Sequence, residues 1–494
     1  MASEPVVRRE LLKRCGGTAL ALAATSLAAP VAVARTVSSG HDVRPPLAED
    51  IARWLVELRY EDLPANVVTT AKRVTLDTLG CALGALDAEP VRAARRVIAL
   101  QGGNPQATIV GVGGKAACDQ AAFLNAMALR YLDYNDYIAL GRPHHGSMNV
   151  APALAMAEMQ QASGKDFLLG LVAGYELEVR LRDAMAAREP EGWDGASIVA
   201  QYASAAAAGK LLRLDAAKLA NALAIAGSNA NTLSEVRRGA EMTPAKGAAE
   251  PMAVRNGVFA ALLAREGLTY PLTMLDGEYG FGKMVPGALD ESVLRKRNGE
   301  FQILKSCIKL WPCVGTAQAP IAAALEIYKQ QPRPNEIERV VVDLSAFAYR
   351  QQIAYPNEIR TREHADHSIP YVVARALLDG KVIVDDFDEK RFRDPTAIAL
   401  MKKIELRSDP ALSDANLGAR VRVTSRSGQT YNAGVPIPPG NIRNPADDTS
   451  VAKKFTTLAG SVLGRARSQQ AIEAILSIDT MPQLEKLLSA VTRG

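Results

Sequence analysis

Five histidines occur in 494 residues, and four of them fall in two short clusters. His144 and His145 follow the acidic run "YLDYNDY", while His364 and His367 flank Asp366. Imidazole titrates near neutrality, so histidines grouped beside carboxylates suit acid and base chemistry at physiological pH. Paired histidines in loops also serve as caps or plain surface residues. Asp133 and Asp136, three apart at the end of a helical run, project to one side of that terminus. Downstream, Arg237, Arg238 and Lys246 gather in "RRGAEMTPAKGAAEP", and Lys309 precedes Trp311-Pro312-Cys313. Carboxylate, imidazole, ammonium and guanidinium together fit proton abstraction beside a carboxylate-bearing carbon, with the cations holding the anionic groups of the substrate.

Other chemistries find less support. A net charge of +5, spread among acids, offers no concentrated basic face for nucleic acid. Cys81, Cys118, Cys307 and Cys313 show no zinc or iron–sulfur spacing, so no metal is expected; Cys307 and Cys313 could pair, although buried thiols are the commoner state. "TIVGVGGKAA" lacks the third glycine of a dinucleotide fingerprint and the Gly-Lys-Ser/Thr order of a phosphate loop, and reads as a turn. No nucleophile elbow or HExxH helix occurs.

The elements that must position these residues change character along the chain. Residues 1–34 resemble a twin-arginine signal peptide: Arg8, Arg9, Lys13 and Arg14 precede an alanine-rich apolar run ending in Ala32-Val33-Ala34. That run is broken by Pro30 and is short for a membrane anchor, so export to the periplasm or beyond is expected, without a stable membrane anchor. Its removal leaves 54 Lys and Arg against 51 Asp and Glu, a net of +3. Over 47–305 the apolar spacing is helical almost throughout, with Gly80 and Gly84 one turn apart where another helix approaches closely. Over 306–440, "EIERVVVDLSAF", "KKIELRSD" and "ARVRVTSRSGQTYNAGV" alternate as strands, the last turning at Ser427-Gly428, and "SIPYVVARALLDG" is a helix stopped by Gly380. Over 441–494 the spacing is helical again. The fold class is therefore mainly α: a large all-helical domain with a smaller α+β lid domain inserted before C-terminal helices that pack back on it.

Seven blocks in order resemble the MmgE/PrpD family of 2-methylcitrate dehydratase-like proteins: "LPANVVTTAKRVTLDTLGCALGA", "AAFLNAMALRYLDYNDY", "HHGSMNVAPALAMAE", "SGKDFLLGLVAGYELEVRL", "AKGAAEPMAVRNGVFAALLAREGLTYP", "KLWPCVGTAQAPIAAALE" and "ADHSIPYVVARALLDG". The resemblance implies an active site in the cleft between helical domain and lid, a homodimer, and small polycarboxylate substrates handled without metal or other cofactor. It implies catalytic roles for Asp133, His145, Asp194, Lys246, Lys309 and Tyr371. Asp136, Tyr137, His144, Arg238 and His367 are assigned to substrate binding. "ADHSIPY" lies closer to the dehydratase branch than to the cis-aconitate decarboxylase branch. Four positions depart from the pattern, the first being Asn135 in place of the middle aspartate of the acidic block. Tyr137 replaces a threonine, Asp194 replaces a histidine, and Val314 or Thr316 stands where a further histidine is usual; Asp194 could act as a base if burial raised its pKa. The expected activity is that of a lyase or isomerase. The alternatives are a decarboxylase or epimerase with another substrate, or a periplasmic binding protein that kept the cleft and lost the chemistry.

Overall fold

Segments such as "AQYASAAAAGKLL" combine strong helix formers with little side-chain bulk, so their helices form readily and pack closely on every side. The computed structural model describes residues 44–139, 144–185, 191–230, 232–238, 241–355 and 358–493; residues 1–34, expected above to be a signal peptide, and the side chain of Arg238 lie outside the described residues. Helix Gly195–Leu211 is buried along nearly its whole length, between helices Gly164–Ala184 and Ala245–Arg265. Helices Leu47–Glu57, Ala65–Gly84, Cys118–Tyr131, Val150–Met159 and Ala216–Ser228 complete this body. Its strands are two-residue pieces, among them the hairpin Ala107–Thr108 with Lys115–Ala116, which closes the glycine-rich "VGVGG" turn. Gly111 and Gly113 adopt φ of +77° and +87° in that turn, which glycine alone tolerates well.

The body does not end where the strands begin. Helix Asp448–Leu476, interrupted at Gly464, lies along Ala65–Gly84 and contributes Val451, Phe455 and Leu458 to the same apolar core. A Cβ on Gly80 would stand 3.1 Å from Phe455 Cα, and one on Gly84 2.9 Å from a Leu458 methyl, so the two glycines let the helices approach. Residues from Cys313 to Val423 build a second core around a four-stranded sheet. Its order is Ile404–Ser408, Ile337–Leu344, Ala419–Ser425, Thr430–Val435, with the first pair parallel and the others antiparallel. Parallel neighbours need a long crossover. Here the crossover contains helices Arg362–Ala365 and Ile369–Asp379, the latter stopped by Gly380 at φ +64°. That crossover carries Asp366 and His367 toward the helical body. A small cluster of Tyr137, Ala139, Cys307 and Leu417 lies beside them, and Cys307 and Cys313 are free, buried thiols. Residues 45–494 form one compact unit, and no described helix is long and apolar enough to cross a membrane.

Candidate active site

Helix Cys118–Tyr131 ends in Leu132, and Asp133 then turns left-handed at φ +49°, a conformation that aspartate tolerates better than most residues. Strand Tyr137–Ile138 pairs antiparallel with Ser306–Cys307, which brings Lys309 back to Asp133. Lys309 Nζ donates to the Asp133 carbonyl at 2.8 Å and to Oδ2 at 3.1 Å. Arg130, one turn earlier on the helix, reaches Oδ1 at 2.5 Å, and Lys246 Nζ lies 3.7 Å from it. Burial pushes the Asp133 carboxyl up, but Lys246, Lys309 and Arg130 outweigh it and hold the group well below the usual carboxylate range. Burial pushes the Lys309 ammonium down, and Asp133 restores only part of that loss.

Lys246 and Glu250, four residues apart, share one face of the first turns of Ala245–Arg265. Glu250 is fully buried, accepts from Arg130 Nε at 2.6 Å, meets His145 Nδ1 at 3.0 Å and forms an ion pair with Arg237 Nη2 at 3.1 Å. Burial raises its pKa, yet His145, Arg237 and Arg130 together hold the carboxyl well below its ordinary range. The His145 share of that effect requires a charged imidazole; the two guanidiniums supply theirs at every relevant pH. Burial, followed by Arg130, pushes His145 itself down to about 4 against the pull of Glu250. At neutral pH the imidazole is therefore uncharged, with Nδ1–H donating to Glu250 and Nε2 left as the basic nitrogen.

The lid supplies a matching pair. His367 Nδ1 lies 2.5 Å from Asp366 Oδ1 and 3.0 Å from Lys246 Nζ, and Lys246 Nζ lies 3.2 Å from the same carboxylate oxygen. Burial raises Asp366, but Lys246 and His367 bring it below its ordinary value; burial and then Lys246 lower His367. Two bare lone pairs do not approach to 2.5 Å, so Nδ1 carries the proton toward Asp366 and Nε2 is again the base. Asp133, Asp366 and His367 gather donors close enough to surround a cation. Lys246 places its ammonium among them, and a dication would have to displace that charge.

Apart from Glu250 and Asp366, which are absent from its described lining, these groups line a cavity of about 150 Å³. Its described lining includes Arg130, Arg182, Arg237, Lys246 and Lys309 against Asp133 and Asp194, a surplus of positive charge suited to a multiply charged anion. His144, His145, His367, Tyr137, Val314 and Thr316 also line it, so the departures at Tyr137, Asp194 and Val314 or Thr316 face this space, whereas Asn135 is absent from the described lining and donates to Ser147 Oγ at 3.0 Å. Asp136 does not. It accepts from Ser147 N–H, Tyr175 Oη and Ser306 Oγ, tying the loop after Asp133 to the body. Tyr371 is buried in the lid core, donating to the Asp386 carbonyl, and is absent from the described lining. Arg238 cannot be placed because its side chain lies outside the described residues. Sequence reasoning passed over Arg130, Arg182 and Glu250, and it noted Arg237 and Asp366 without giving them a role of their own. The i,i+3 spacing of Arg130 and Asp133 and the i,i+4 spacing of Lys246 and Glu250 were the available signals.

Residues 49–291 match the MmgE/PrpD N-terminal domain and residues 311–480 the MmgE/PrpD C-terminal domain. The chain belongs to the MmgE/PrpD family. Among curated members it is 27% identical over 469 residues to the "Cis-aconitate decarboxylase-like protein oryM" of Aspergillus oryzae, covering 90% of this chain and 96% of that protein. It is 29% identical over 470 residues to human cis-aconitate decarboxylase, covering 91% and 95%. It is 26% identical over 485 residues to 2-methylcitrate dehydratase of Salmonella typhi, covering 90% and 98%. Its relatives are thus lyases of two kinds, and identity separates them by only a few per cent.

Proposed function

We propose that this protein is a lyase that removes a proton alpha to a carboxylate of a small di- or tricarboxylic acid. The observation that carries the reading is the pair of carboxylate-backed imidazoles, one from the body and one from the lid, on a single cation-lined cavity. An uncharged imidazole starts the cycle ready to accept a proton, and the negative charge developing on substrate raises its basicity during the step. Lys246, Lys309 and Arg130 take the part of an electrostatic cradle for that charge. In dehydration, Nε2 takes the alpha proton and the C–H electron pair becomes the new double bond. The neighbouring hydroxyl leaves as water with a proton from a lysine ammonium, and the imidazolium proton then returns to the lysine.

A second reading, decarboxylation of an unsaturated tricarboxylate, rests on Lys309: an ammonium weakened by burial is a better donor to the carbanion left by carbon dioxide. Incubation with 2-methylcitrate, citrate and cis-aconitate, followed by product chromatography and by deuterium incorporation in heavy water, tests both. His145→Ala and Lys246→Ala should abolish turnover with the fold retained; full activity in both variants refutes the assignment. Binding with neither exchange nor conversion would mark a binding protein instead. Twin-arginine export and a homodimer belong to the same proposal, supported by residues 8–34 and by the family resemblance. Cell fractionation and a light-scattering mass check them.

A further inference from the structure

Asp194 stands on the cavity wall with one carboxylate oxygen already engaged. Oδ2 accepts from Ser197 Oγ at 2.5 Å and from Arg237 Nε at 2.9 Å. The backbone is held as well: Asp194 N–H donates to the Thr232 carbonyl and Ser234 N–H to the Gly192 carbonyl, each at 2.9 Å. This short ladder sets the start of helix Gly195–Leu211 beside the turn that carries Arg237. On its far side Arg237 meets Glu250 at 3.1 Å. A guanidinium offers five N–H donors in one plane. Asp194 holds Arg237 by a hydrogen bond at Nε and Glu250 by an ion pair at Nη2, while the side chain still lines the cavity. At Gly195, next in the chain, a Cβ would come within 2.3 Å of Nη1 of Arg182, which also lines the cavity. The missing side chain makes room for a second guanidinium.

Asp194 commits Oδ2 to both a guanidinium and a hydroxyl, the contacts of a side chain that orients its neighbours. We propose that Asp194 is a positioning residue: it aims Arg237, and Arg237 clamps one carboxylate of the substrate, an assignment that rests on the polycarboxylate reading above. The clamp explains how the cavity uses an acidic side chain on a wall otherwise built to attract anions. It also gives the guanidinium end a role separate from the two lysines, which hold the reacting end.

Calorimetric binding of three unreactive probes tests this in full-length protein: tricarballylate, glutarate, which lacks the central carboxylate, and methylsuccinate, which lacks a terminal one. Wild type should favour tricarballylate over both. In Arg237→Gln and Asp194→Asn, the preference over one truncated probe should collapse, by about 10- to 100-fold for the arginine variant, the range for a hydrogen-bonded charge. Arg237→Lys keeps the charge and serves if the glutamine variant does not fold. A merely structural role would weaken all three probes alike, and that result, or unchanged ratios, overturns the clamp. A collapse in the arginine variant alone overturns the part given to Asp194. Failure of wild type to bind any probe refutes the polycarboxylate reading itself.

Discussion

Glu250→Gln keeps the side-chain volume and removes one charge at the point where two arginines and a histidine meet. The carboxylate is fully buried and meets Arg130 at 2.6 Å, His145 at 3.0 Å and Arg237 at 3.1 Å. Breaking a buried ion pair costs about 3–5 kcal/mol when a charge is left uncompensated. Arg130 retains Asp133 and Arg237 retains Asp194, so the loss should fall at the lower end, about 3 kcal/mol. Urea unfolding should show that loss with an unchanged slope. Turnover should suffer separately. The amide oxygen will turn to the guanidiniums, leaving its NH2 to donate to His145 Nδ1 and forcing the proton onto Nε2. The base is then blocked, and the rate should fall by about 10²- to 10⁴-fold, the contribution of a positioned base. Nitrogen NMR of the ring reports the tautomer directly. A stability loss under about 1 kcal/mol together with full turnover would refute the reasoning.

Three further outcomes follow from the same charges. His145 has a folded pKa of about 4 against 6.5 unfolded, so its contribution is present above 6.5 and lost as pH falls toward 4. It amounts to about 3 kcal/mol at most, and the stability-versus-pH curve of His145→Gln should be flatter across that window. Lys454→Met removes the partner of Asp77 and the donor to the Tyr134 and Lys309 carbonyls. Burial already pushes Asp77 up to about 6 against the pull of Lys454, so the variant should hold it protonated at neutral pH. The melting temperature should fall, and an added Asp77→Leu should recover much of it. Dialysis against EDTA should leave turnover unchanged, because the Lys246 ammonium fills the one donor group found among the described residues; loss restored by a dication would contradict this.

The architecture was legible because periodicity reports burial directly: the helical spacing before Pro332, the alternating strands after it and the stop at Gly380 are all local signals. Gly80 and Gly84 announced a close helix contact, although nothing local named Phe455 and Leu458 as what approaches. The site was legible in its charges and not in its pairings. Asp136 and Tyr371 match motif positions as well as Asp133 does, yet Asp136 braces a loop and Tyr371 closes the lid core. Conversely, Glu250 sits in a helix like many exposed glutamates, and only the long-range arrival of Arg130, Arg237 and His145 makes it central. Such partners are 13 to 120 residues away, beyond any spacing rule.

Every described residue that lines the cavity lies before residue 418, yet the wall behind it is made last. Lys454 holds the carbonyls of Tyr134 and Lys309, and Phe455 fills the notch at Gly80, from a helix that begins only at Asp448. During synthesis the first helices must therefore wait for almost the whole chain before their core can close, with Asp77 lacking its counter-ion until then. A chain truncated after residue 440 would keep the complete set of described lining groups and still lose the Lys454 ammonium that ties the Tyr134 and Lys309 carbonyls together behind them. For this protein, a fragment that retains all the chemistry is not a smaller enzyme, and separately supplied C-terminal helices are the natural piece with which to restore one.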